Sequence, residues 1–338
     1  MKNFFVFLCI FSLFVSCKRG STSVEIEPVH NPNNAVYYWR TTFRLSGEER
    51  SFLEEHQIKR LYLRYFDVGR DPDFNITIPV PIATLIFLDS IPQDLEIVPT
   101  VFIDNNLFKN IDMSECVKFL VNRIKTMTAT NDVPNVREIQ LDCDWTESTE
   151  TLYFSFLKQV DSLLAKDSIS LSATIRLHQL RMHAPPVKSG VLMCYNTGGV
   201  RNPKTNNSIL SVADVALYAK SLQNYALPLD VAYPTFSWTV WFRNNQFNAL
   251  LRKVNPENEN LSKIDNNRYV VKESFYQEGN YLYAGDEIRI ETSDFSEIMQ
   301  AKKLLESRMK NYSVILYHLD SSNLSKYTKD EISQIYAH

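Results

Sequence analysis

Two carboxylates two residues apart, Asp142 and Asp144, close the apolar run Val136-Arg-Glu-Ile-Gln-Leu-Asp-Cys-Asp-Trp-Thr146. Side chains alternate along a strand, so Gln140, Asp142 and Asp144 share one face and Ile139, Leu141, Cys143 and Trp145 the other. An acidic row at the end of a buried strand is costly unless it is paired or used, which makes it a candidate site. Two close carboxylates raise the pKa of one of them. Asp144 is therefore a candidate proton donor, with Asp142 or Asp320 as its partner. Glu147 is a further carboxylate nearby, although alternation turns it the other way. The competing reading is structural, with Arg64 or Arg176 neutralising the aspartates as an ion pair.

Other groups fit a site that binds a polar ligand. Arg176 and His178 end a run in which Ser170, Ser172 and Thr174 share a face. Tyr195 shares the face of Met193, with Asn196 next to it. His318 and Asp320 end the last apolar run on one side. Trp39, Trp145, Trp238 and Trp241 are candidate platforms for a sugar ring, with core packing as the alternative for each. His178, His183 and His318 lack metal-ligand spacing. No metal and no cofactor is expected.

These residues need a frame, and the chain supplies strand-like and helix-like runs in alternation, the pattern of a parallel sheet covered by helices. Eight strands are predicted: Val36–Phe43, Ile58–Phe66, Leu95–Ile103, Val136–Trp145, Ile169–Leu177, Gly190–Tyr195, Leu229–Phe236 and Ser313–Leu319. The fold class is α/β, a (β/α)8 TIM-type barrel over 35–338, whose site belongs at the carboxyl ends of the strands. Ser46 with Glu49 predicts a capping box, and Thr328 with Glu331 a cap on a closing helix. Between Val68 and Asp94, prolines and a mixed pattern obscure the second helix. An Asn-rich stretch from Arg243 and a hairpin around Glu278-Gly279-Asn280 predict a small α+β insertion over 243–290, after the seventh strand.

Lys2 and the apolar run Phe4 to Val15 form a secretory signal, ending in Phe14-Val15-Ser16-Cys17. This end resembles the lipobox of bacterial lipoproteins, with 1–16 as signal peptide, Cys17 as the lipidated residue and 17–34 as a flexible tether. The expected location is the cell envelope, lipid-anchored in the outer membrane. Cys116, Cys143 and Cys194 remain, an odd count without paired spacing, and are expected to be buried thiols. A net charge of −3 with scattered basic residues leaves no nucleic-acid footprint.

The motifs resemble those of the chitinase-like barrels of glycoside hydrolase family 18. That family ends its fourth strand in Asp-x-Asp-x-Glu, matched by Asp142-Cys143-Asp144-Trp145-Thr146. Its sixth strand ends Met-x-Tyr-Asp, matched by Met193-Cys194-Tyr195-Asn196, and its seventh is aromatic-rich, as in Leu229-Asp-Val-Ala-Tyr-Pro-Thr-Phe-Ser-Trp238. The resemblance implies a glycan partner met by Tyr195, Asn196, Arg176, His178, Tyr233, Trp238 and His318, with Asp142, Asp144, Glu147 and Asp320 as the candidate catalytic set. The departures matter. Thr146 stands where the family has its glutamic acid, and a hydroxyl does not donate a proton usefully near neutral pH. Asn196 replaces an ionisable Asp, and Val98-Pro-Thr-Val-Phe-Ile103 lacks the family's Ser-x-Gly-Gly. Two expectations stand side by side: a glycoside hydrolase with an atypical acid, and a non-catalytic carbohydrate-binding or assembly lipoprotein.

Overall fold

The eight apolar runs form eight parallel strands: β1 (Ala35–Tyr38), β2 (Arg60–Arg70), β3 (Glu96–Ile103), β4 (Glu138–Cys143), β5 (Ser170–Arg176), β6 (Ser189–Met193), β7 (Leu229–Pro234) and β8 (Val314–Tyr317). Each pairs with the next, and β8 pairs back onto β1, closing a (β/α)8-type barrel. This computed structural model describes residues 33–70, 79–109, 112–252 and 254–337. The expected signal peptide and the expected lipidation site Cys17 lie outside the described residues. Among those residues no helix is long and apolar enough to cross a membrane.

Helices α1 (Gly47–Glu55), α2 (Met113–Thr130), α3 (Glu150–Leu164), α4 (Val212–Ala219), α5 (Phe295–Glu306) and α6 (Lys329–Tyr336) cover the outside. The Ser46/Glu49 box caps α1 and the Thr328/Glu331 box caps α6, each satisfying two otherwise orphaned N–H groups. Among the described residues no α-helix follows β2. Pro79–Ile82 instead turns back and pairs antiparallel with β2, because its two prolines cannot donate within a helix. After β5 the connection is a 3-10 turn, Leu177–Arg181.

Two apolar layers result. The larger lies between strands and helices and includes Ile139, Leu141, Cys143 and Trp145. The smaller fills the lumen with Tyr37, Tyr62, Val98, Val191, Met193, Tyr195, Ala232 and Ile315. Tyr37 stacks on Tyr62 at 4.7 Å and reaches across the barrel to donate to Gln140 Oε1 at 2.6 Å. Each such buried ring withdraws roughly 150–250 Å² from water, a gross gain of about 4–6 kcal/mol. Below them, Arg60 bonds Glu96 at 2.9 Å and Glu138 at 3.4 Å, and Ser172 donates to Glu138 at 2.6 Å. The lumen is a packed core.

Past β7 the chain leaves the barrel into a five-stranded antiparallel sheet with the strand order Gln246–Leu251, Ser237–Arg243, Glu287–Thr292, Arg268–Val271, Leu261–Asp265. A hairpin, Phe275–Gln277 with Asn280–Leu282, projects beside it. Asn244 and Asn245, and then Glu278 and Gly279, have positive φ at the two-residue turns, the backbone a tight antiparallel hairpin requires.

Candidate functional site

The carboxyl end of the lumen is built by the last inward residue of each strand. Inward positions on β4 are Gln140 and Asp142, which are 0% and 6% exposed. Asp142 Oδ1 accepts from Thr174 Oγ1 at 2.6 Å and from Arg176 Nη2 at 2.9 Å, both on β5. Burial pushes the Arg176 guanidinium down, but Asp142, Tyr195 and Asp144 more than reverse this and hold it above its usual value. Asp142 and Arg176 therefore form an ion pair at the barrel top. One observed strand boundary explains why Asp144 differs. Strand β4 ends at Cys143, so Asp144 stands outside the lumen with its side chain 60% exposed, 3.8 Å from the His178 imidazole.

A second polar pair comes from a bulge in β2 between Arg64 and Phe66, which turns Asp67 onto the same face as Arg64. The two form a bidentate pair at 2.9 and 2.5 Å. Register places Asp67 level with Phe102, and Phe102 level with Asp142. Asp67 and Asp142 therefore sit two strands apart, roughly 10 Å between backbones, each neutralised by its own arginine.

Around these pairs the aromatic residues form a cup. Tyr195 and Tyr317 lie 4.8 Å apart, Phe236 is 5.9 Å from each, and Trp39 is 5.9 Å from Tyr317. The Arg64 guanidinium lies 5.5 Å from the Trp39 ring. Burial holds the Tyr195 and Tyr317 phenols well above their ordinary value, so both stay protonated and can donate. Tyr195 donates weakly to Met193 Sδ at 3.2 Å. Trp39, Phe236 and Tyr317 are only partly buried, so their edges line the opening.

Several expected site residues lie elsewhere. Tyr233 is fully buried in the outer layer, because Ala232 takes the inward position on β7. Trp145 is fully buried as well, 6.2 Å from Tyr153 and 5.2 Å from Phe154. Trp241 belongs to the core of the insertion and donates to Asp286 at 2.9 Å. Trp238 is half-buried, packs on Phe236 at 5.2 Å and donates to Glu291 at 2.7 Å, which fixes it as a buttress of the cup. Glu147 and Asn196 are exposed, Asn196 with φ of 53°. Thr146 is exposed in the turn before α3, its hydroxyl 3.0 Å from Ser148 Oγ.

The last strand also differs in parity. Ile315 and Tyr317 point inward, so His318 and Asp320 do not share the lumen face. Burial lowers the His318 pKa, with Asp320 opposing. Asp320 caps the turn Ser321–Leu324, accepting from Ser322 Oγ at 2.5 Å and Asn323 N at 3.1 Å. Partial burial pushes its carboxyl up, and these two donors together with His318 and Arg40 outweigh that and hold it low. A carboxylate held this way is a poor proton donor. Burial also pushes up the Cys143 thiol, and the Cys116 and Cys194 thiols to about 12, consistent with inert core cysteines. Among the described residues, no group of three or more His, Cys, Asp or Glu could hold a metal.

No family model matches the sequence. No curated protein matches it either. Solved structures do. The barrel superimposes on a chitinase from Chromobacterium violaceum with a TM-score of 0.56 at 8% identity, covering 90% of this chain and 98% of that one. It superimposes on the spore cortex-lytic enzyme SleL of Bacillus cereus at 0.51 and 14% identity, covering 86% and 72%. A Group IV chitinase of Ostrinia furnacalis in complex with allosamidin gives 0.52 at 10% identity, covering 90% and 98%. The likeness is one of fold. Strand alternation alone could have found Tyr317 and Phe236, two residues beyond Ile315 and Pro234 on the inward face. The Arg64–Asp67 pair depends on a bulge that alternation does not show.

Proposed function

We propose that this is an exported, lipid-anchored protein whose barrel top binds a glycan without cleaving it. One observation carries the reading: the cup joins four aromatic rings to two arginine–carboxylate pairs, so that the carboxylates on its inner face, among the described residues, are engaged by arginine. Asp142 and Asp67 are each held by an arginine, Asp144 stands in solvent and Thr146 cannot ionise. Rings that meet the apolar side of a pyranose, with ordered polar groups at their edges, suit a sugar. Hydrolysis needs a carboxylic acid held protonated beside the glycosidic oxygen, with either a second carboxylate or a group of the substrate itself as nucleophile.

The fold neighbours are chitinases and a spore cortex-lytic enzyme, so chitin oligosaccharides and bacterial cell-wall glycan are the first probes. The full-length chain is compared with Tyr195→Ala/Tyr317→Ala and with Asp144→Asn on a glycan array and in a reducing-end release assay. The expected result is binding, weakened on the order of tenfold or more by the tyrosine changes, with no release of sugar. Release that disappears in Asp144→Asn would replace this reading with a hydrolase. Absence of any glycan binding would remove the carbohydrate reading.

A further inference from the structure

The insertion carries a second set of aromatic rings that the cup does not use. Tyr276 and Tyr281 face each other across the projecting hairpin with ring centroids 4.7 Å apart, and Tyr281 meets Tyr283 at 4.8 Å. They are 75%, 38% and 52% exposed. The inner end of this array rests on Arg243, whose guanidinium lies 4.3 Å from the Tyr283 ring and 4.9 Å from Trp241. Arg243 is gripped by Asp286 at 3.0 and 2.9 Å. Asp286 is 3% exposed and also accepts from Trp241 Nε1 and from the Tyr283 N–H, both at 2.9 Å. The rings therefore stand on a fixed base. Adjoining exposed aromatics on such a base mark an interaction surface, and fixed rings bind with less ordering cost.

Two quantities narrow the partner. Full rings of roughly 150–250 Å² each, at these exposures, offer about 250–400 Å². A stable protein contact needs about 800 Å² per partner, so neither a second copy nor another protein is held by this array alone. The second quantity is its distance from the cup. The strand Ser237–Arg243 runs from directly after Phe236 in the cup to the arginine beneath the array. Seven residues of extended chain span roughly 23 Å.

We propose that the Tyr276–Tyr281–Tyr283 array is a second carbohydrate contact, taking a distal stretch of the same polymeric glycan that enters the cup. The inference rests on the reading of the barrel top as a glycan site. A mono- or disaccharide occupies one contact only, whereas a polysaccharide bridges both. Bridging turns the second contact into an intramolecular event and raises affinity by roughly 10²–10⁴ without changing either contact. Exposed tyrosines supply ring faces for pyranoses and hydroxyls that both donate and accept.

The test uses the full-length chain, its Tyr276→Ala/Tyr281→Ala/Tyr283→Ala variant and the corresponding triple Phe variant. Chitobiose binding is measured by calorimetry and insoluble chitin binding by depletion. Thermal melts confirm that each variant is folded. The proposal expects chitobiose affinity to be unchanged, chitin affinity to fall on the order of 10²-fold in the Ala variant, and most of it to return in the Phe variant. Unchanged chitin affinity in a folded Ala variant overturns it. So does a sedimentation profile that shifts from dimer to monomer with chitin binding intact, which would make the array a contact between copies. Array-dependent chitin binding without chitobiose binding would support the array and sink the cup. No binding of either sugar would sink both.

Discussion

Removing Arg176 should do more damage than removing the charge it neutralises. Asp142 is 6% exposed, and its Oδ1 receives Thr174 Oγ1 and Arg176 Nη2. In Arg176→Met a carboxylate is left buried with one neutral donor, and breaking a buried pair in this way costs about 3–5 kcal/mol. In Asp142→Asn the amide oxygen still accepts from Thr174, and Arg176, whose side chain is 24% exposed, can draw water to its charge. That change should cost about 1–2 kcal/mol, the worth of one charge-assisted bond reduced by solvation. The double variant strands a neutral amide instead of a carboxylate and should be more stable than Arg176→Met alone, giving a coupling of about 2 kcal/mol. At roughly 2 °C per kcal/mol for a chain of this size, melting temperatures should fall by about 6–10 °C for Arg176→Met and about 2–4 °C for Asp142→Asn. Calorimetric melts of the four proteins at pH 7 measure the cycle. Strict additivity, or an Arg176→Met melt within about 1 °C of wild type, would refute the claim that this pair organises the barrel top.

Three further outcomes follow from the same geometry. Thr146→Glu should not create sugar release, because residue 146 lies exposed in a turn beyond β4; turnover in that variant would show that the turn can fold back over the cup. Glu291→Ala should cost about 3–5 kcal/mol, since Arg289 is fully buried against it and Glu291 also accepts from Ser208 and Trp238; a urea midpoint near wild type would contradict this. His318 has a lowered folded pKa from burial, so below about pH 6.5 the unfolded chain takes up the proton first and stability falls with pH. His56, lowered by burial too, adds the same sign. His318→Gln should flatten part of the decline between pH 7 and 5, and an unaltered slope would count against it.

The barrel was legible because each parallel strand is buried on both faces and reads as an apolar run. The same property hid which face is which. On β4 the polar Gln140 and Asp142 reported the inward side, so the ion pair with Arg176 was among the readings. On β7 and β8 both faces are apolar or aromatic, so the sequence does not show that Ala232 and Tyr317, rather than the ligand candidates Tyr233 and His318, take the inward positions. Asp67 needed a bulge to reach the lumen. Trp145 follows the strand alternation into the outer layer, and only its aromatic type suggested a ligand. Hairpin turns and helix caps were readable because they depend on a few residues in local contact. The Arg289–Glu291 network was not, since it joins Val200 and Asn202 to a strand nearly 90 residues later.

The chain enters the barrel from below. Asn33 N–H donates to Ser313 Oγ, Asn34 holds the His56 carbonyl, and the Asn34 carbonyl receives Lys59 N–H, all at the ends of the strands opposite the cup. Whatever holds the upstream segment holds the protein by its base. With the proposed lipid on Cys17, the tether would start from the end of the barrel opposite the cup. The proposed attachment at the base would leave the cup free to meet its ligand from the other end of the barrel, a hook on a line rather than a surface patch.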